Sequence, residues 1–197
     1  MKKKGGGILE SALIISNTEK SAAFLREVLI SASINQTAAL QSCGEARRLL
    51  KERDFDMVVV NSPLRDESGE SLSRDIASKS LSQVILIVKN EFFDEVSAVC
   101  GGDGVLIISK PVNRAVFLSA LVLAKAAHKQ IKRIQAENEL LKQKIEDIRI
   151  VDRAKLILIS YMNMNEKEAH RYIEKQAMDL RATRRSIAEG ILRTYEY

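Results

Sequence analysis

The chain carries two periodicities. In its first half, short runs of consecutive apolar residues alternate with stretches of helical spacing. The runs are Ala12-Leu13-Ile14-Ile15, Thr37-Ala38-Ala39-Leu40, Met57-Val58-Val59-Val60, Val84-Ile85-Leu86-Ile87-Val88 and Val105-Leu106-Ile107-Ile108. A strand that is apolar at every position is buried on both faces, as in a parallel sheet covered by helices on each side. Between the runs, Phe24, Leu25, Val28 and Leu29 share one helical face over 21–29, and Ala46, Leu49 and Leu50 share another over 44–52. The order predicts an α/β, doubly wound domain with five parallel strands. The Thr37–Leu40 run is the weakest and belongs near an edge.

After Pro111 the texture changes, with neither Pro nor Gly from Val112 until Gly190. With Ile131 at position a, a heptad series runs through Phe117, Ala120, Ala124, Ala127, Ile131, Ile134, Asn138, Leu141, Ile145 and Ile148. This predicts a coiled coil; the alternative is a long last helix packed back on the sheet domain. The early alanines are expected against the sheet or a close partner, with the true seam starting near Ile131. Asn138 at an a position pairs best with its own copy, which favours a parallel homodimer. Glu137 and Lys142 attract across such a seam, whereas Lys144 and Arg149 repel.

Three short helices are expected at the end. The first covers 152–162 with Ala154, Leu156, Leu158 and Ile159. The second is capped by Asn165 with Glu168 three residues on, and carries Ala169, Tyr172, Ile173, Ala177 and Met178, the last read as core. The third opens at Thr183 or Arg184 and carries Ile187, Ala188, Ile191 and Leu192. The expected divisions are a sheet domain over 8–124, a coiled-coil helix over 125–150 and a three-helix bundle over 151–197.

Composition narrows the classes. The chain has 197 residues and a net charge of +5. No apolar run approaches the roughly 18 residues of a membrane span. Met1-Lys2-Lys3-Lys4-Gly5-Gly6-Gly7 starts like a signal peptide, but Glu10 interrupts the apolar stretch that follows, so a flexible tail is expected. Cys43 and Cys100 form no ligand spacing and read as free thiols in a reducing cytoplasm, with no metal site and no cofactor. No nucleophile–base or phosphate-loop constellation is present, and His128 and His170 fall in unrelated elements. These features argue against an enzyme.

Two stretches resemble known families. Phe55-Asp56-Met57-Val58-Val59-Val60-Asn61-Ser62-Pro63-Leu64 with Gly69, and Ser109-Lys110-Pro111 after the fifth run, resemble response-regulator receiver domains of two-component systems over residues 10–125. The resemblance implies a flavodoxin-like, receiver-type fold. It also implies a phosphoaccepting aspartate, two acids that hold Mg²⁺, a hydroxyl residue and an aromatic. At those positions stand Asn61, Ser16 with Asn17, Val88 and Ile107, and only Lys110 matches. A degenerate pseudo-receiver that works without aspartate phosphorylation is expected, its input a sensor protein or a ligand. Asp66 and Glu67, in the loop after the third run, could reach the pocket and restore some of its chemistry; ordinary exposed loop acids are the expected reading.

The C-terminal stretch resembles the ANTAR domain over residues 150–193. The matching residues are Ala154-Lys155, Leu158, Asn165-Glu166, Ala169, Ile173, Ala177-Met178-Asp179, Arg181 and Ile187-Ala188. Asn163 stands where that family has Gly; Asn tolerates the left-handed conformation, so the turn is expected to survive. The resemblance implies an RNA-binding regulator of transcription antitermination whose dimer takes RNA hairpins. Lys155, Arg171, Lys175, Arg181, Arg184 and Arg185 are the candidate RNA surface, because arginine pairs with phosphate bidentately and stacks on splayed bases. His170 and Met178 are weaker candidates. The competing readings are a DNA-binding transcription factor and a protein-interaction scaffold without nucleic acid.

Overall fold

A computed structural model describes residues 9–195. The expected N-terminal tail lies outside the described residues. Five strands appear where the apolar runs placed them: β1 (Ser11–Ser16), β2 (Gln36–Leu40), β3 (Met57–Asn61), β4 (Gln83–Lys89) and β5 (Val105–Lys110). All pair in parallel in the order β2-β1-β3-β4-β5, so the weak second run is an edge strand. The helices between them are α1 (Glu19–Ser31), α2 (Cys43–Glu52), α3 (Glu70–Lys79) and α4 (Phe93–Cys100).

Alternation along the strands feeds two cores. Ala12, Ile14, Met57, Val59, Ile85, Ile87 and Ile108 meet α1 and the start of a long helix, α5 (Arg114–Met162). Leu13, Ile15, Val58, Val60, Leu86 and Val88 meet α2, α3 and α4 on the other face. The turn before α3 requires Gly69. Its φ is +89°, and a Cβ there would lie 2.6 Å from Val60 Cγ1. Cys43 and Cys100 are buried free thiols, and burial, with Glu67 and Asp66 nearby, pushes the Cys43 thiol up to about 12.

The chain divides into two compact units, residues 1–134 and 135–197, with the division inside α5. In the first unit Phe117, Ala120, Leu121 and Ala124 are buried against the sheet, while Ala127 is exposed. The early alanines thus part company: two serve the sheet core and one does not. The expected first short helix over 152–162 is the last part of α5, which runs unbroken for 49 residues. Nothing between Val112 and Met162 supplies a stop signal.

In the second unit the end of α5 is joined by α6 (Glu166–Asp179) and α7 (Arg184–Tyr195). Asn163 adopts φ 54°, the left-handed conformation expected of it. Asn165 accepts from the Glu168 N–H, and the Glu168 carboxylate accepts from the Asn165 N–H at 2.8 Å, completing a reciprocal cap. Thr183 caps α7 by accepting from the Ser186 N–H. The core is small: Ala154, Leu158, Ala169, Ile173 and Ala188. Met178 is not part of it, being 77% exposed, which corrects the expectation from sequence. The buried face of α6 is Ala169, Ile173 and Ala177, at intervals of four, and the next residue points about 100° away from that face.

Candidate functional site

The C-terminal strand ends bring the receiver-like residues together. Ser16 and Asn61 are register partners on β1 and β3. The Asn61 amide donates to Ser16 Oγ at 3.0 Å, and the Ser16 hydroxyl donates to the Thr18 carbonyl. Asn17 Oδ1 accepts from Arg65 Nε at 3.3 Å. Lys110, at the end of β5, donates through Nζ to the Ser62 carbonyl. Val88 is buried in the core beside β5, and Ile107 packs partly buried on the same face. The neutral groups at this end of the sheet therefore satisfy one another, and a guanidinium occupies one of them.

This donor set does not fit Mg²⁺. A hard divalent cation takes carboxylate and carbonyl oxygens, and here Asn61 points an N–H donor at Ser16. The loop acids are engaged elsewhere. Asp66 accepts from the N–H groups of Cys43 and Gly44 at 3.0 and 2.9 Å, which holds its carboxyl below the usual range. Glu67 makes a bidentate ion pair with Arg47. Both serve the start of α2. Among the described residues no group of three or more His, Cys, Asp or Glu is arranged to hold a metal.

Lys110 has an unusual setting. Burial, and then the charge of Lys89, hold its ammonium below the usual lysine range. Beside it lies a cavity of about 400 Å³ lined by Lys20, Ser21, Phe24, Leu25, Asn61, Ile87, Lys110, Pro111 and Val112. Sequence reasoning missed Lys20, Ser21 and Phe24, which join the pocket only because α1 starts at the C-terminal edge of the sheet.

The six candidate RNA-contacting residues fall into two sets. Lys155 pairs with Asp152 at 2.8 Å and with Glu166. Arg184 pairs with Glu174 at 3.2 Å, and Arg185 with Asp147 at 2.7 Å and Glu189 at 2.8 Å. These three cations line a groove of about 400 Å³ with His170 and Thr183. Arg171, Lys175 and Arg181 are exposed, and no ion pair holds them among the described residues. His170 is exposed and lies 3.3 Å from Glu174. An exposed ring pair, Tyr161 and Tyr195 with centroids 5.4 Å apart, was not singled out from sequence.

The seam residues Ile131, Ile134, Asn138, Leu141, Ile145 and Ile148 are all exposed. Among the described residues no helix is long and apolar enough to cross a membrane.

Comparison with known proteins places both units in classes. The first unit has the CheY-like receiver fold: a response regulator receiver domain from Methanospirillum hungatei JF-1 superposes with a TM-score of 0.56 at 17% identity, covering 62% of this chain and 98% of that one. Residues 139–192 match the ANTAR domain. The transcriptional regulatory protein PdtaR of Mycobacterium tuberculosis (strain CDC 1551 / Oshkosh) is 26% identical over 150 residues, 76% of this chain and 73% of that protein. The aliphatic amidase regulator of Pseudomonas aeruginosa is 27% identical over 86 residues, 44% of each. A CheY-like receiver fold is thus followed along the chain by a stretch that matches the ANTAR domain.

Proposed function

We propose that this chain is a homodimeric RNA-binding regulator of transcription antitermination whose receiver-type domain works without aspartate phosphorylation. The ANTAR match over 139–192 carries the reading. The regulatory names of the two relatives support it. Residues 8–124 form the pseudo-receiver, 125–150 the coiled coil and 151–197 the RNA-binding bundle. The protein has no catalytic role and works in the cytoplasm.

Loss of phosphorylation follows from chemistry. Asn61 is an amide, which is a poor nucleophile, and it faces Ser16 rather than a carboxylate. The phosphoryl oxygens would lack the metal that neutralises their charge. The exposed seam from Ile131 to Ile148 is the surface a second copy covers, and Asn138 sets the parallel register. Lys155, Arg171, Lys175, Arg181, Arg184 and Arg185 contact RNA. Unpaired loop bases on short stems are the preferred target, because an A-form stem hides its base edges in a deep, narrow groove. Two bundles per dimer favour two hairpins on one RNA, the second contact being intramolecular.

The test is direct binding of the full chain to hairpin RNA and to duplex DNA of the same sequence. Tighter binding to the hairpin, weakening as salt rises, is expected. Preference for the duplex would assign the chain to the DNA-binding class instead.

A further inference from the structure

We propose that the cavity at the C-terminal edge of the sheet binds a small organic phosphate, with Lys110 and Lys20 on the phosphate and Phe24, Leu25, Ile87 and Val112 on its apolar part. The inference rests on the reading that Asn61 is not phosphorylated, and gives that pocket a ligand.

The argument begins with an unbalanced charge. Lys110 is partly buried, and its ammonium meets only the Ser62 carbonyl. The charge of Lys89, another cation, acts against it, and Lys89 is itself turned to Glu91 at 3.1 Å. No carboxylate lines the cavity. A half-buried cation without a counter-charge is less well solvated than a free one, and an anion supplied from solution compensates for that. The positions that hold acids in the resembled family hold Ser16, Asn17 and Asn61 here. Replacing acids by neutral groups while keeping the lysine inverts the electrostatics, so that a pocket suited to cations becomes one suited to anions.

Geometry supplies the rest. The cavity lies at the carboxyl-terminal parts of β3, β4 and β5, against the first turns of α1, and so beside the point between β1 and β3 where the strand order β2-β1-β3-β4-β5 reverses direction. In open α/β sheets, ligands bind in the crevice outside that point. Lys20 and Ser21 reach the cavity from the first turn of α1, and Asn61 offers an amide from β3. Two cations match a dianion better than a monoanion. The apolar wall and a volume of about 400 Å³ leave room for a small hydrophobic tail beyond the phosphate head.

The probes are phenyl phosphate, inorganic phosphate and benzyl alcohol, titrated into the ¹⁵N-labelled full-length protein while the Asn61 side-chain amide signals are followed. Saturable shifts with phenyl phosphate are expected, with weaker binding of inorganic phosphate and none of benzyl alcohol. Lys110→Met and Lys20→Glu should each weaken phenyl phosphate at least about tenfold, since each removes a charge-assisted contact. Lys20 is exposed, so its variant keeps the fold and remains informative even if Lys110→Met proves unstable. Absence of saturable binding, equal binding of phenyl phosphate and inorganic phosphate, or unchanged affinity in Lys20→Glu overturns the inference. A parallel incubation with acetyl phosphate and Mg²⁺, read by intact mass, separates the two readings. A hydroxylamine-sensitive phosphoryl group on the chain refutes phosphorylation-independence, whereas failure with phenyl phosphate alone refutes only the ligand.

Discussion

The two units handle their cations in opposite ways. At the end of β5, Lys110 is half-buried with a carbonyl partner, and no carboxylate lines the cavity beside it. In the C-terminal unit, Lys155, Arg184 and Arg185 each rest on acidic side chains, and Arg171, Lys175 and Arg181 stand exposed. A half-buried cation without a counter-charge in a small cavity favours one compact anion. A surface that mixes tethered and untethered cations suits an extended polyanion, because the tethered ones are held in place and the others can follow the backbone. The units also differ in reserve. The sheet domain closes two cores on either side of β1, β3 and β4, whereas the helical unit closes one around five buried residues.

That difference in reserve sets the largest expected effect. Ile173→Ala should cost about 2–5 kcal/mol, enough to melt the C-terminal unit at ambient temperature. Leu86→Ala, which costs a similar amount, should leave the sheet domain folded. Calorimetry of the full chain, with its transitions assigned by these two variants, checks the contrast. If Ile173→Ala leaves the lower transition in place, the small core is sturdier than its size implies.

Hairpin RNA sharpens the contrast between tethered and untethered cations. Replacing Arg171, Lys175 and Arg181 with Gln should weaken binding at least about tenfold and flatten the salt dependence by about two to three phosphate contacts. Replacing Lys155, Arg184 and Arg185 should cost RNA affinity too, but with loss of thermal stability, because Asp147, Asp152, Glu166, Glu174 and Glu189 lose their partners. Equal effects on affinity and no effect on stability would dissolve the distinction between the two sets.

A third contrast is confined to the sheet domain. His128, on α5, is 2% exposed, and its Nδ1 finds no partner. Burial, and then Lys132, hold its imidazole below the ordinary value, against the opposing pull of Asp56 at 4.0 Å and the Leu81 carbonyl. A depressed folded-state pKa means that the unfolded chain takes up the proton first. Stability is then full above about pH 6.5 and falls as pH drops through the folded pKa, with a slope of up to about 1.4 kcal/mol per pH unit. His128→Met should flatten denaturation midpoints between pH 7 and pH 5. Asp56 has the opposite arrangement of forces: burial raises its carboxyl, and the N–H and O–H donors of Glu10 and Ser11 outweigh it. Its contribution is therefore present above pH 3.8 and lost as acid protonates it in the fold. A slope that survives His128→Met would place the titrating group elsewhere.

The smallest expected effect is at the seam. Asn138→Ile should raise the melting temperature of the dimer by about 4 °C and loosen the choice of oligomer. A chain that sediments as a monomer at micromolar concentration would remove the dimer from the proposal.

Local chemistry made much of this molecule legible from its sequence. The apolar runs had to be buried strands, Asn165 and Glu168 had to cap a helix, and Asn163 could hold a left-handed turn, because each depends on residues within one element. That Ser16, Asn17 and Asn61 stand where the resembled family has acids was equally plain, since the identity of a residue at a motif position needs no coordinates. Helices α3 and α4 escaped notice. Their buried faces are short, Leu72, Ser73 and Ile76 in one and Val96 with Cys100 in the other, and too few apolar positions repeat to show a period. Other features depended on pairs distant in sequence. His128 meets Asp56 and Asp66 meets the start of α2 only after the sheet has assembled. Composition counted the arginines, but which of them are tied to carboxylates depends on how α5, α6 and α7 pack. Met178 turns outward because Ala169, Ile173 and Ala177 already fill the buried face of α6, a choice that hydrophobicity alone could not make. The cavity beside Lys110 likewise exists because parallel strands end together and α1 begins there, which places Lys20 and Lys110 on one hollow although they are far apart in sequence.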